Sequence, residues 1–563
     1  MLGSVAVAGL LAGCTGATDS ARAEGAEVER PAAAVMESVR FVDVAVDVGV
    51  EFRHGAFQWG TTGDPNAMMG GGVCWIDVDH DGWLDLFAVN TWSNGEWGRW
   101  RRDGMLPSSR LYRNERGRFT DVTEQYGAGL EVRGNGCVAA DFDLDGYTDL
   151  YVTTERENVM MWNDDGERFT VDDGTAGVNT YGWQTSAAVG DVNDDGWPDL
   201  FLAGYVDVNN RLEGAIQGFP NIFAPIPDRL LVSDGAAGGG RPTFVDVAAD
   251  VGIESDRVDY GLGALFSDVD RDGDLDLYVV NDTQPNRLYV SEQVDASPGF
   301  RFVDRAGAAG VDDDGAGMGV AVADYDGDGL PDFTVTNMTD EHHPVFRSSV
   351  DDPSGPAFQA ALADMGLPDL GIGDTGWGAA WVDVDLDGDV DLVHANGTLP
   401  VTDLQGDREQ LRVFENDTNG DSGVFSEVTG ALGLEQSGRH LGRGLAAGDY
   451  DNDGDVDFAV GTIGGDLALL RNVGAGGHWL VVAAEPAAPG TYVTLTDRSG
   501  RSQTRELVVG SSYLSSEDPR AHFGLAENDE AVSIRVEWPD GSVWERSDVE
   551  VDQIVQVEPE GSG

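Results

Sequence analysis

The stretch Asp77-Val78-Asp79-His80-Asp81-Gly82-Trp83-Leu84-Asp85 decides how this chain is read. It has the form D-x-D-x-D-G-x-x-D, and an apolar run follows it directly. The form begins again at Asp141, Asp191, Asp268, Asp324, Asp383 and Asp449, seven copies in all, and only the third departs, with Asn193 at its second ligand position. Alternate acidic side chains can point inward from one tight loop, the glycine permits the turn, and the last Asp closes the shell from the start of the next strand. Calcium takes six to eight hard oxygens at about 2.3–2.6 Å, whereas magnesium keeps its waters and needs stricter octahedral geometry. A lone acidic turn can simply solvate a hairpin, but seven in register point to metal loops. Up to seven calcium ions are expected. Their ligands are Asp77, Asp79, Asp81 and Asp85; Asp141, Asp143, Asp145 and Asp149; Asp191, Asn193, Asp195 and Asp199; Asp268, Asp270, Asp272 and Asp276; Asp324, Asp326, Asp328 and Asp332; Asp383, Asp385, Asp387 and Asp391; and Asp449, Asp451, Asp453 and Asp457.

The same elements flank every loop. A small-residue strand precedes it, as in Gly72–Asp77 or Gly319–Asp324, and an apolar strand follows, as in Asp149–Thr154 or Asp276–Asn281. A third strand comes next (Arg110–Asn114, Asn286–Val290), then a fourth carrying a Phe (Phe119–Val122, Phe244–Val247, Phe425–Val428). Four short strands every 50 to 77 residues predict propeller blades, not a helical solenoid. The seventh unit stops at Leu467–Asn472 without its Phe strand, while an unpaired one, Arg40–Val44, stands before the first unit. Placing it on the last blade closes the ring and removes an exposed edge. The predicted fold is all-β: a seven-bladed β-propeller over residues 40–472, a glycine linker at 473–477, a small antiparallel β domain at 478–558 and a tail at 559–563.

Residues 40–472 resemble the FG-GAP/VCBS repeats of bacterial surface proteins and integrin alpha heads. Phe52-Arg53-His54, Met69–Val73 and Gly442–Gly454 are most similar to the cartilage acidic protein group. His478-Trp479-Leu480, Gly510–Ser516, His522–Leu525 and Val536–Gly541 resemble the ASPIC/UnbV domain, for which the resemblance implies no established chemistry.

Formal net charge is −67, and every basic residue is Arg. So acidic a surface disfavours nucleic acid and anionic lipid as partners. The apolar start of the chain, residues 1–14, resembles a bacterial lipoprotein signal with Leu11-Ala12-Gly13-Cys14 as its lipobox, Cys14 being the lipidated residue. The run is too short to remain as a membrane span, and residues 15–39 read as a flexible tether. The expected address is a bacterial cell envelope, secreted or lipid-anchored at the outer surface, with membrane contact through the anchor alone. Cys74 and Cys137 could meet as a disulfide outside the cytoplasm, but small buried thiols are the favoured reading.

Blade topology puts the loops between strands one and two, and between three and four, on one face. All seven acidic loops share it. His54, Trp59, His342, His343, His394 and His440 project to the other face, with the insertion Thr91–Arg102, which carries Trp92, Trp97, Arg99, Trp100, Arg101 and Arg102. Aromatic planes beside Arg forks suit sugar rings, uronate carboxylates or a protein partner. Packing of the insertion on its own blade competes evenly with this reading, and structural histidine is the usual outcome for the rest. The leading expectation is a calcium-binding adhesion or scaffold module for a protein or carbohydrate partner at the cell surface, without nucleic acid. The alternative is a lyase or hydrolase acting on a carbohydrate at the histidine-bearing face. No catalytic residue is assigned, because no Ser-His-Asp order, P-loop or dinucleotide fingerprint occurs.

Overall fold

The computed structural model describes residues 39–559 except 216–217, 236–239, 350–354, 417–422, 475 and 531. Cys14 and the signal and tether stretches up to residue 38 lie outside the described residues.

Seven four-stranded antiparallel sheets follow one another along the chain. Blade one contains Val73–Ile76, Asp85–Ala88, Arg110–Asn114 and Phe119–Asp121, and its successors repeat that order. Blade seven takes its first three strands from Gly442–Gly448, Asp457–Thr462 and Ala468–Asn472. Its fourth is Phe41–Asp43, with Phe41 opposite Asn472, so the ring closes through the strand that precedes blade one. In each fourth strand the Phe is buried and its neighbours are exposed, as at Phe41, Phe119, Phe244 and Phe425. The Phe rings join clusters of apolar side chains that run from each blade into the next.

The first strands crowd the ring axis, which explains their small residues. Cys74 and Cys137, on the first strands of blades one and two, lie with Cα atoms 6.2 Å apart and form a disulfide. The expectation of two free thiols is therefore corrected: convergence of neighbouring first strands brings the pair together.

Residues 479–557 form a second β unit of two sheets. One sheet is antiparallel, built from Ser502–Glu506, Tyr492–Thr496, Val532–Glu537 and Val543–Val549. The other pairs Trp479–Ala484 with Ala521–Gly524 antiparallel and with Gln553–Val557 in parallel. Between the sheets the segment Val509–Glu517 leaves this unit and enters the propeller along its axis. Ser512 exchanges backbone hydrogen bonds with Val320 of blade five, at 2.7 and 3.0 Å. Cys137 N–H donates to Leu514 O at 3.1 Å, and Trp75 N–H to Ser516 O at 3.1 Å. Tyr513 is wholly buried, packs its ring against Trp377 and donates its hydroxyl to Met69 O at 3.0 Å. A Cβ on Gly72 would lie 2.1 Å from Leu514 O, so the plug requires glycine there. The second unit thus sits on the acidic-loop face and fills the hub.

Candidate metal loops and the opposite face

Each acidic loop is held by its own backbone. In blade one the Asp81 and Gly82 N–H groups donate to the two Asp77 oxygens at 3.0 and 2.8 Å. In blade six the equivalent bonds reach Asp383 from Asp387 and Gly388 at 3.1 and 2.8 Å. The last Asp ties the loop to the third strand: Asp85 accepts from Asn114 N–H at 2.6 Å. Asn163, Ser233, Ser291, Ser348, Asn416 and Asn472 make the same bond in the other six blades, at 2.7 to 2.8 Å. Sequence reasoning missed this partner, although the Asn or Ser recurring at the end of strand three was its signal. It also missed the fourth loop position, where His80, Leu144, Asp194, Arg271, Gly327, Leu386 and Asn452 all have φ between 53° and 73°. Only Gly327 announces that left-handed conformation by residue type.

The carboxylates converge. Asp77, Asp79 and Asp85 each place an oxygen within 4.8 Å of the others, as do the matching residues at Asp141, Asp268, Asp324 and Asp383, and a further acidic group does so among the described residues. Burial, reinforced by the charges of Asp79 and Asp77, pushes Asp85 up to about 8 against the lowering effect of its two N–H donors. Asp79, Asp143, Asp385 and Asp451, all at the second ligand position, each keep one buried oxygen without a protein partner. Clustered, partly orphaned hard oxygens fit a hard cation, and these residues could hold one. In blades one and seven an arginine of strand three pairs with the other oxygen of these carboxylates: Arg113 reaches Asp79 Oδ2 at 2.5 Å and Arg471 reaches Asp451 Oδ2 at 2.7 Å.

The second β unit touches several loops directly. Gly524 N–H donates to Asp383 at 3.1 Å, Arg501 pairs with Asp389 at 2.6 Å, and Ala526 N–H donates to Leu386 O at 2.6 Å. Arg520 donates to Asp449 O at 3.0 Å, and His522 meets Gly454 O at 2.7 Å.

On the opposite face the histidines do not form one centre. His54 is buried, and its Nδ1 accepts from Gly464 N–H at 3.3 Å; burial pulls it down to about 3. His343 and His394 are buried and stack on each other at 5.2 Å. His440 meets Ser437 O at 2.7 Å, and His342 is exposed. The expectation that these side chains share an accessible ligand surface is corrected for His54, His343 and His394, which the blades enclose. Nearby Arg443, quoted above only within a motif, is fully buried, donates to Met68 O and Gly397 O at 2.7 and 3.0 Å, and lies over Trp377 at 3.9 Å.

The Trp-Arg insertion divides in two. Trp92 is buried and Trp100 packs against Trp59 at 4.8 Å, which fastens the insertion to the segment before blade one. Trp97–Asp103 forms a short helix with none of its residues buried. Trp59 and Trp97 remain 41% and 45% exposed, with Arg99 over the first and Arg101 over the second.

This architecture is that of an acidic-loop β-propeller with an appended β unit, and sequence comparison agrees. Residues 77–152, 141–202 and 268–335 match the FG-GAP-like repeat, and residues 482–563 match the ASPIC and UnbV family. The chain carries FG-GAP repeats and an ASPIC/UnbV domain, and it has homologues named cartilage acidic protein 1 over most of its length. The protein of that name from Mus musculus is 27% identical across 84% of this chain and 71% of its own length. The Homo sapiens protein is 27% identical across 84% and 70%. Among solved structures, an Agrocybe aegerita lectin that recognises N-acetylglucosamine is 16% identical over 66% of this chain and 88% of its own, with a TM-score of 0.38. The rhamnogalacturonan lyase YesW is 13% identical over 71% and 89%, with a TM-score of 0.29. Scores this low carry no argument about function. The named relatives are animal proteins, so the expected bacterial envelope address is corrected.

Proposed function

We propose that this chain is a calcium-stabilised binding module whose partner contacts the face opposite the metal loops. One observation carries the reading: the ASPIC/UnbV unit already covers part of the metal-loop face and plugs the hub with Tyr513. Calcium then acts structurally, neutralising each Asp cluster and fixing the first hairpin of its blade. An all-oxygen carboxylate set supports calcium over softer ions. The partner is a carbohydrate or a protein, and the burial of His54, His343 and His394 gives no support to acid–base chemistry at that face.

The test is to incubate the full chain, in calcium, with a panel of polysaccharides and to read retention and released products together. Retention without new reducing ends or unsaturated sugars is the expected result. Product formation would make the chain an enzyme and sink the binding-module reading.

A further inference from the structure

Arg99, Arg101 and Arg102 fall within four consecutive positions of a chain whose formal net charge is −67. Many other arginines are paired with carboxylates, as at Arg133, Arg287 and Arg412. No ion pair to these three is found among the described residues. Two of them lie over indoles instead: Arg99 is 5.4 Å from the centre of the Trp59 ring, and Arg101 is 5.1 Å from that of Trp97. Trp59 and Trp97 remain 41% and 45% exposed, leaving indole surface open beside the guanidinium groups.

A second observation is independent of exposure. Thr62 Oγ1, Trp92 Nε1, Ser93 Oγ, Glu96 Oε2 and Trp100 Nε1 are buried polar atoms without a protein partner, and all belong to the insertion or to the segment it packs on. Buried polar atoms are ordinarily paired, so such a concentration marks a place where hydroxyl-bearing groups, water or ligand, complete the hydrogen bonding.

We propose that Trp59, Trp97, Arg99, Arg101 and Arg102 form a platform for an anionic polysaccharide. Its sugar rings lay their C–H faces on the exposed indoles, and its carboxylate or sulfate groups meet the guanidinium forks. This rests on the reading that the face opposite the metal loops is the working one. The strong negative charge of the rest of the molecule does not forbid it, because charges beyond about 8 Å are largely screened at physiological ionic strength. That charge repels a polyanion over much of the molecule, whereas here Arg99 and Arg101 lie over partly exposed indoles without an ion pair among the described residues. An acidic protein would engage the arginines but offers no row of ring-sized C–H faces to the two indoles.

The experiment measures retention of the full chain, in calcium, on immobilised polygalacturonate, dextran sulfate and uncharged dextran. Retention on either acidic polymer and not on dextran is expected, declining as salt rises. The Trp97→Ala/Arg101→Ala variant is expected to bind about tenfold more weakly with an unchanged thermal melt. Arg102→Glu, at a side chain with no hydrogen bond or ion pair found among the described residues, is expected to weaken binding as well and guards against misfolding of the double variant. Equal retention on dextran, no retention on the acidic polymers, or undiminished retention of both variants would overturn the platform. If the chain fails on the acidic polymers but holds a neutral glycan or a protein, the platform falls and the binding module stands. New reducing ends or unsaturated sugars would remove the module itself.

Discussion

The metal loops of blades two and six obey one pattern and live in different surroundings. In blade two Asp141 and Asp143 are half-buried and only Asp149 is enclosed, whereas in blade six Asp383, Asp385 and Asp391 are all buried. The blade-six loop is also roofed by the second β unit through Gly524, Arg501 and Ala526. Its carboxyl groups respond: burial and mutual repulsion push Asp385 up to about 8 and Asp387 to about 9, while Asp143 rises only to about 6. The repeat therefore sets the geometry of a site, and its neighbours set the cost of leaving that site charged without a cation.

The largest effect expected is that of chelation. A filled loop contributes about 2.7 kcal/mol when calcium stands at 100 times its dissociation constant, and several loops act together. EDTA is expected to lower the melting temperature by about 10 °C or more, and added calcium to restore it. An unchanged melt would end the structural role for the metal and erase the contrast between the two blades.

A smaller effect separates the loops. Asp385→Asn and Asp143→Asn each remove a ligand, worth about 2.7 kcal/mol in saturating calcium. After chelation the two differ: Asp385→Asn is expected to raise the melting temperature by removing the cost of burying a carboxyl that ionises freely in the unfolded chain, while Asp143→Asn changes it little. Equal shifts for both variants in EDTA would show that the roof over blade six has no electrostatic consequence.

A further effect, confined to calcium-free protein, is that of pH. Asp385 has a folded-state value of about 8 against 3.8 for an ordinary aspartate, so between those values the native chain binds more protons than the unfolded one. Its contribution is therefore full below about 4 and is lost as pH climbs through about 8. Calcium-free protein is expected to melt higher at pH 5 than at pH 8, with the gap narrowing once calcium takes the place of the protons. Scanning calorimetry at the two pH values checks this, and a higher melt at pH 8 would reverse the assignment.

Much of this was legible before any coordinates. The acidic loops, the four-strand unit and the unpaired Phe41 strand followed from strong local patterns, since loop chemistry and strand period are written over a few residues. The convergence of their carboxylates was legible for the same reason. What escaped depends on long-range packing. Nothing local in Gly510–Ser516 says that it leaves its own sheet to fill a hub, and Cys74 meets Cys137 only because two first strands converge. The histidines were placed on the correct side by topology, yet whether a side chain on that side is open or enclosed depends on insertions from other blades. Trp92 and Trp97, five positions apart in one insertion, ended buried and exposed respectively.

The ring is closed and the hub filled by segments from far apart in the order of synthesis. Asp43 waits for Leu469, 426 residues later, before the last blade has its outer strand. Tyr513 follows later still. A nascent chain thus carries six complete blades with an open edge and an unfilled axis, a form that exposes unpaired strand and apolar hub residues to its surroundings. Truncation before Phe458 therefore removes both the partner of the Phe41 strand and the hub plug, leaving an exposed edge and an open axis.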